Sequence, residues 1–161
     1  MRAILAHCGD LPLKHLAGAS LLLEEGQRTG RVYVLVEGRI GVYRGETLIT
    51  VLDEPGSLVG EMSFLLDTPH TATARTLGDA TVRIADNAEG FFRTHPELSW
   101  LVARLLAKRL KVATNYLVDL TQQYAGSGDH LEMVGEVLES LLHHQEQEFS
   151  PGSDRETGHP S

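Results

Sequence analysis

What most constrains this chain is the stretch from Ala19 to Ala85, where apolar runs of five or six residues are cut at close intervals by turn residues. The segments 19–23, 32–36, 39–43, 47–52, 72–76 and 80–85 are rich in Val, Ile, Thr, Leu and Tyr, which suit a pleated, half-buried surface. Between them stand Gly26, Gly30, Gly38, Gly45, Pro55-Gly56 and Gly78-Asp79. Short strands spaced in this way predict a barrel, sandwich or roll. Arg39-Ile40-Gly41-Val42-Tyr43 alternates as a strand with one buried face does. Glu37-Gly38 and Arg44-Gly45-Glu46 are expected to be hairpin turns. Upstream, Asp10-Leu11-Pro12-Leu13 predicts a helix capped by Asp10, with Leu13 and Leu16 on its apolar side and Gly18 as its end.

After Ala85 the period becomes helical. A short helix is expected over 87–94, stopping before His95-Pro96, and a long one from about Glu97 to Tyr124 without an internal Gly or Pro. Within it Ala103, Leu106, Leu110, Ala113, Leu117, Leu120 and Tyr124 fall at steps of three and four, a heptad seam that predicts a homodimer through residues 103–124. Leu98, Leu101, Val102 and Leu105 are expected to pack on the sheet instead. Gly126-Ser127-Gly128-Asp129 reads as a linker. A final helix over about 130–144 sets Leu131, Val134, Leu138 and Leu141 against Glu132, Glu136 and Glu139. Residues 145–161 have the composition of a disordered tail. The expected domains are therefore 1–125, 126–144 and 145–161.

Charge divides the chain at the same place. Residues 1–125 hold thirteen Lys/Arg against fourteen Asp/Glu, whereas the last 36 hold one against eight. Such a tail repels phosphate backbones, so no DNA partner is expected. No apolar run is long enough to span a membrane, and Met1–Ala6 is too short and too polar for a secretory signal. With Cys8 as the one cysteine, no internal disulfide can form, and a reducing cytoplasm is the simplest reading.

The stretch most informative about function is Pro55 to Ala74, PGSLVGEMSFLLDTPHTATA. Leu58-Val59 is a brief strand, and Gly60-Glu61 opens a helical turn ending near Leu66. A helix N-terminus presents unpaired N–H groups and the positive end of its dipole, which suits an anion. Gly60 would let the backbone approach a ligand closely. Glu61 places a carboxylate there that can accept hydrogen bonds from paired hydroxyls. Taken alone, a Gly-Glu pair at a turn is structural more often than not.

The order of three segments adds to this. Val32-Tyr33-Val34-Leu35-Val36-Glu37-Gly38-Arg39-Ile40 precedes Pro55-Gly56-Ser57-Leu58-Val59-Gly60-Glu61-Met62-Ser63, which precedes Pro69-His70-Thr71-Ala72-Thr73. Together they resemble the cyclic-nucleotide-binding domain family, the sensor domain of catabolite-activator-type regulators, cyclic-nucleotide-dependent kinases and gated channels. The resemblance spans about residues 10–120 and takes in His95-Pro96-Glu97-Leu98 and Leu106-Ala107-Lys108-Arg109-Leu110. It implies a mainly β fold with C-terminal α structure: an antiparallel β-roll of the jelly-roll kind (a double-stranded β-helix) with flanking helices and a long C-terminal helix. It also implies a ligand, cAMP or cGMP, and no other cofactor. Gly60, Glu61, Met62 and Ser63 would match the phosphate-binding cassette, with Glu61 on the ribose 2′-hydroxyl. Thr71 and Ala72 would lie beside the phosphate, and Thr114 and Asn115 would contact the base.

One departure stands out. Nucleotide binders of the family carry an arginine where this chain has His70. Histidine lacks the planar fork that grips a phosphate, and losing such a bond weakens binding roughly 10- to 150-fold. Arg75 is five positions further on, so alternation points it away. Three accounts of His70 are open: an imidazolium that binds the nucleotide and loses affinity as pH rises, a pocket turned to another small anion, or a scaffold that binds nothing.

Other chemistries fit less well. No His-X-His with a following glutamate suggests a cupin-type metal site. His143 and His144 point about 100° apart on a helix, and adjacent His7 and Cys8 cannot both reach one face of a haem. Ser57, Ser63 and Ser99 have no histidine partner by sequence context, so no enzyme is expected. Regulators of this family that bind DNA continue into a helix-turn-helix domain. The acidic 36-residue tail does not resemble one, and Arg104, Lys108, Arg109 and Lys111 read as a solvated face or partner site. Two functions remain. One is a stand-alone cyclic-nucleotide sensor that signals to a protein partner through its C-terminal helices. The other is a degenerate scaffold acting as a ligand-independent interaction and dimerisation module.

Overall fold

The computed structural model describes residues 1–124 and 129–143. Two compact units are formed, Met1–Leu105 and Leu106–Ser161. Of the expected linker 126–129, Asp129 opens a helix and the rest lies outside the described residues, as do the tail at 145–161 and both expected domain boundaries, 125/126 and 144/145.

The first unit runs α1 (Arg2–Ala6), β1 (Leu13–Leu16), β2 (Leu21–Leu23), β3 (Val32–Glu37), β4 (Ile40–Arg44), β5 (Thr47–Leu52), β6 (Leu58–Val59), α2 (Glu61–Leu66), β7 (Thr73–Thr76), β8 (Ala80–Ala85), α3 (Ala88–Thr94) and the opening turns of α4 (Pro96–Gln123). Its strands make two four-stranded antiparallel sheets, ordered β1-β8-β3-β6 and β2-β7-β4-β5. The chain changes sheet at every connection except β4–β5, the pattern of a jelly roll. Leu22, Leu23, Tyr33, Leu35, Ile40, Val59, Ala74 and Val82 make a core cluster drawn from both sheets. The expected roll with flanking helices and a long C-terminal helix is therefore the fold found. Leu98 and Val102 are buried in the first turns of α4, as their apolar pattern predicts.

The second unit contains the rest of α4 and α5 (Asp129–His143). Along α4, Leu106, Leu117 and Leu120 are half-buried, whereas Leu110, Val112, Tyr116 and Tyr124 are exposed. On α5, Val134 and Leu138 are half-buried and Glu132, Glu136 and Glu139 are exposed, so the helix has the two faces its sequence predicts. Among the described residues no helix is long and apolar enough to cross a membrane.

Two local expectations are corrected, and one element is added. Residues 13–16 form a strand and not a helix: Leu13 pairs with Arg83 and Leu16 with Ala80, while the Pro12 carbonyl accepts from the Ile84 N–H at 3.1 Å. A helix there would leave one edge of β8 unpaired. The three-residue spacing of Leu13 and Leu16 instead puts them on opposite faces of β1, Leu13 exposed and Leu16 against the core. Asp10 caps nothing there, and its carboxylate stands 3.7 Å from His95 Nε2. Second, Glu37-Gly38 is no hairpin. β3 pairs with β6 and β8, β4 with β5 and β7, and the turn carries the chain between sheets. Gly38 has φ +97°, and a Cβ on it would stand 2.6 Å from the Asp79 carbonyl oxygen. In addition, the N-terminus holds a short helix, α1, which buries Ile4 and sets Cys8 inside.

Candidate ligand-binding site

β6 pairs with β3 through Leu58–Val34 and Val59–Tyr33, which fixes where the chain leaves the sheet. It then bends at Gly60, with φ +96°, into α2. A Cβ at this position would stand 2.5 Å from the Arg31 carbonyl oxygen. The close approach that Gly60 permits is thus to the protein's own backbone, at Arg31.

Glu61 is the first residue of α2 and only 4% exposed. Burying a carboxylate is costly unless its charge is met, and the N-terminus of a helix is favourable for a negative charge. Met62 is half exposed, and Phe64 is committed to a stacked pair with Phe92 in α3. Neither of these two side chains is turned inward beside Glu61.

Ser63 leads to His70. The Ser63 hydroxyl lies 3.1 Å from the Gly60 carbonyl, to which it donates, and 2.7 Å from His70 Nδ1. His70 Nε2 lies 2.8 Å from Thr29 Oγ1, which also accepts from the Arg31 N–H at 3.3 Å. A proton arrangement that fits all four bonds and the lowered pKa of the ring is assigned as follows. Ser63 donates to Gly60, His70 Nδ1–H to Ser63, Thr29 to Nε2, and Arg31 to Thr29. The ring is neutral in it. His70 is only 4% exposed, and burial pushes its pKa below the ordinary value of 6.5. Its backbone is tied down as well, the N–H donating to the Gln27 carbonyl and the carbonyl accepting from the Gly26 N–H, both at 2.8 Å. The ring is buried, and both its nitrogens are engaged within the protein.

Thr71 follows His70 and is exposed; Ala72 is half-buried. The Thr71 carbonyl accepts from Arg44 Nε at 3.1 Å. Arg44 is thus a cation at this segment that the sequence reading did not single out. Its signal is the register of β4 on β7, where Tyr43 faces Thr73 and the next residue reaches the 71–72 segment. Thr29 was also missed, 41 residues from the histidine it bonds. Arg75 is exposed on β7. The structure therefore brings together Gly60, Glu61, Ser63, His70, Thr71 and Ala72 in one unit. Thr114, half-buried, and Asn115, exposed, lie on the part of α4 that belongs to the second unit.

A separate cavity of about 870 Å³ lies between α2 and α3, lined by Arg28, Ser63, Phe64, Asn87, Phe92 and Arg93 among others. Neither Glu61 nor Thr71 nor Ala72 lines it. Its charges are already paired, Arg28 with Asp67 at 3.0 Å and Arg93 with Glu89 at 2.8 Å.

Among the described residues no group of three or more His, Cys, Asp or Glu could hold a metal ion. Comparison with known proteins gives the family. Residues 13–91, about half of the chain, match the family model described as the cyclic nucleotide-binding domain. The chain thus belongs, through this domain, to the cyclic-nucleotide-binding family. Over 118 residues it is 30% identical to a "CRP-like cAMP-activated global transcriptional regulator" of Mycobacterium tuberculosis, covering 69% of this chain and 50% of the relative. The chain spans about half the length of the curated relatives it matches. Among solved structures it is similar to the catabolite activator protein of Thermus thermophilus, with 18% identity, TM-score 0.57, 88% of this chain and 80% of that one. It is also similar to the N-terminal domain of a transcriptional regulator from Streptomyces coelicolor A3(2), with 24% identity, TM-score 0.51, and 70% and 82% coverage. These two likenesses concern the fold.

Proposed function

We propose that the chain senses a cyclic nucleotide at the Gly60–Ser63 turn and signals, as a module in its own right, to a protein partner through its C-terminal helices. The observation that carries this reading is Glu61: a buried carboxylate on the first residue of a helix, beside the 71–72 segment that Ser63 and His70 hold to it. A carboxylate there accepts from a pair of ribose hydroxyls, while amide protons of the turn face a cyclic phosphate. Arg44 supplies a cation at Thr71, the segment where the family's arginine would stand. The relative named as cAMP-activated supports cAMP as the first ligand to try. Thr114 and Asn115 are proposed base contacts. Residues 103–124 are proposed to pair two copies, and binding would shift a two-state equilibrium of the helices. The relatives matched are regulators, and the chain is read as a regulator acting in the cytoplasm.

A second reading, a ligand-independent interaction module, is favoured by one observation: His70 is enclosed and lends no charge to the pocket. Calorimetric titration with cAMP and cGMP, on the wild type, Glu61→Ala and His70→Arg, separates the two. Micromolar binding that Glu61→Ala abolishes supports the sensor. Binding seen only after His70→Arg supports the degenerate scaffold.

A further inference from the structure

His70 occupies the position at which the family's binders reach for phosphate, yet its ring is turned into the protein. The chain of bonds runs from Thr29, in the β2–β3 loop, through both ring nitrogens to Ser63, and from Ser63 to the carbonyl of Gly60, the residue that caps α2. That carbonyl also accepts the first helical bond, from the Phe64 N–H at 3.2 Å. Whatever holds the Gly60 carbonyl and Ser63 also holds the peptide groups between them, those of Glu61 and Met62.

We infer that His70 is a positioning residue, a neutral imidazole whose Nδ1–H holds the first turn of α2 against the β2–β3 loop, so that anion binding at that turn weakens as the solution becomes more acidic. This rests on the reading of the turn given under Proposed function, and its sign is opposite to that of an imidazolium that grips phosphate directly. Protonation would make Nε2 a donor. The Thr29 hydroxyl would then have to turn its own proton away, and a positive charge would be enclosed without a carboxylate bonded to it. The charged groups on the elements packed around the ring are Glu61 and Asp67 of α2, Glu24, Glu25, Arg28 and Arg31 of the β2–β3 loop, Arg75 of β7, and Arg44 at the end of β4. Arg28 is paired with Asp67, Arg31 with Asp86, and Glu25 accepts from the Gly45 N–H, while both ring nitrogens meet hydroxyls only. Burial, acting alone, lowers the pKa of this ring. The neutral form is therefore full above about pH 6.5 and is lost as pH falls through the lowered value.

The test uses the full chain as wild type, His70→Asn, whose side-chain amide keeps a donor near Nδ1 but does not titrate, and His70→Leu. Long-range ¹⁵N–¹H spectra at pH 7.5 should find His70 with its proton on Nδ1. Protection factors of the 61–64 amides should fall as wild type is acidified and fall at every pH in His70→Leu, while His70→Asn keeps them without pH dependence. Titration with cAMP should give a wild-type affinity that drops by up to tenfold per pH unit below the ring's pKa, for one proton, and a flat profile in His70→Asn. A proton on Nε2 at pH 7.5, or unchanged 61–64 protection in His70→Leu, overturns the positioning role. An affinity that rises on acidification restores the direct imidazolium contact and also overturns it. If neither cAMP nor cGMP binds at any pH, the sensing proposal fails by itself, and the spectra and exchange data still decide the role of His70.

Discussion

Phe64 in α2 and Phe92 in α3 stack with ring centroids 5.2 Å apart and planes 15° from parallel. Phe91 meets Phe92 edge-on at 5.9 Å and lies 4.2 Å from the His95 ring, where α3 ends and α4 begins. The segment that carries Glu61 is thereby in contact, ring to ring, with the helix that leads into α4.

Removing the buried member of that stack has a readable cost. Phe92→Ala, at a position 8% exposed, should lower stability by roughly 3–5 kcal/mol. Urea unfolding followed by Trp100 fluorescence or circular dichroism measures it. A loss below about 1 kcal/mol would mean that the pair is not packed as described.

Gly60→Ala tests the turn without touching a charge. A left-handed backbone costs an L-residue about 1–2 kcal/mol by itself, and the new Cβ would also press on the Arg31 carbonyl at 2.5 Å. The expected result is a less stable protein with Arg31 displaced. A variant as stable as wild type would remove the argument that the glycine is required by backbone packing.

Arg44→Ala should weaken cAMP binding roughly ten- to a hundredfold, as loss of a charged hydrogen-bond donor does. It should also flatten the dependence of affinity on salt. Unchanged affinity would place the compensating charge for phosphate elsewhere.

Cys8 is wholly enclosed, with Sγ 3.1 Å from the Ile4 carbonyl, and burial pushes its pKa from 9.0 up to about 11, opposed by Arg83. The folded state favours the thiol, so this contribution to stability is complete below pH 9 and is lost as pH rises toward 11. A thiol reagent at pH 8 should modify Cys8 only at the rate of unfolding or of local opening at α1. Fast stoichiometric labelling of native protein would contradict the enclosed position.

Leu110→Glu combined with Leu117→Glu places two charges on the seam of α4, where Leu110 is 47% exposed in the single chain. Sedimentation should then find a monomer where wild type sediments as a dimer. A wild-type monomer at tens of micromolar would defeat the proposed pairing.

The strands of the roll were largely legible because alternation and turn residues are local signals. Partners were not. Leu13 and Leu16 at a spacing of three suit a helix or opposite faces of a strand, and only the free edge of β8 decides between them. Glu37-Gly38 has the composition of a hairpin turn, but β3 and β4 each find partners from other parts of the chain. At the site, residue types were readable at 60–63 and 70–72. The surroundings of His70 were not, because Thr29 lies 41 residues away and nothing near it in sequence marks it as a partner. Nor was the burial of His70, which lowers its pKa.

The pairing of β1 with β8 and β2 with β7 has a consequence for synthesis. The earliest strands to leave the ribosome find their neighbours among the last, so in a nascent chain ending before residues 73–85 four strands, β1 to β4, each lack a partner. Contacts so far apart in sequence form slowly, and a half-made chain of this kind is exposed to aggregation. Translation speed across β7 and β8 should therefore affect yield more than speed across the helices that follow.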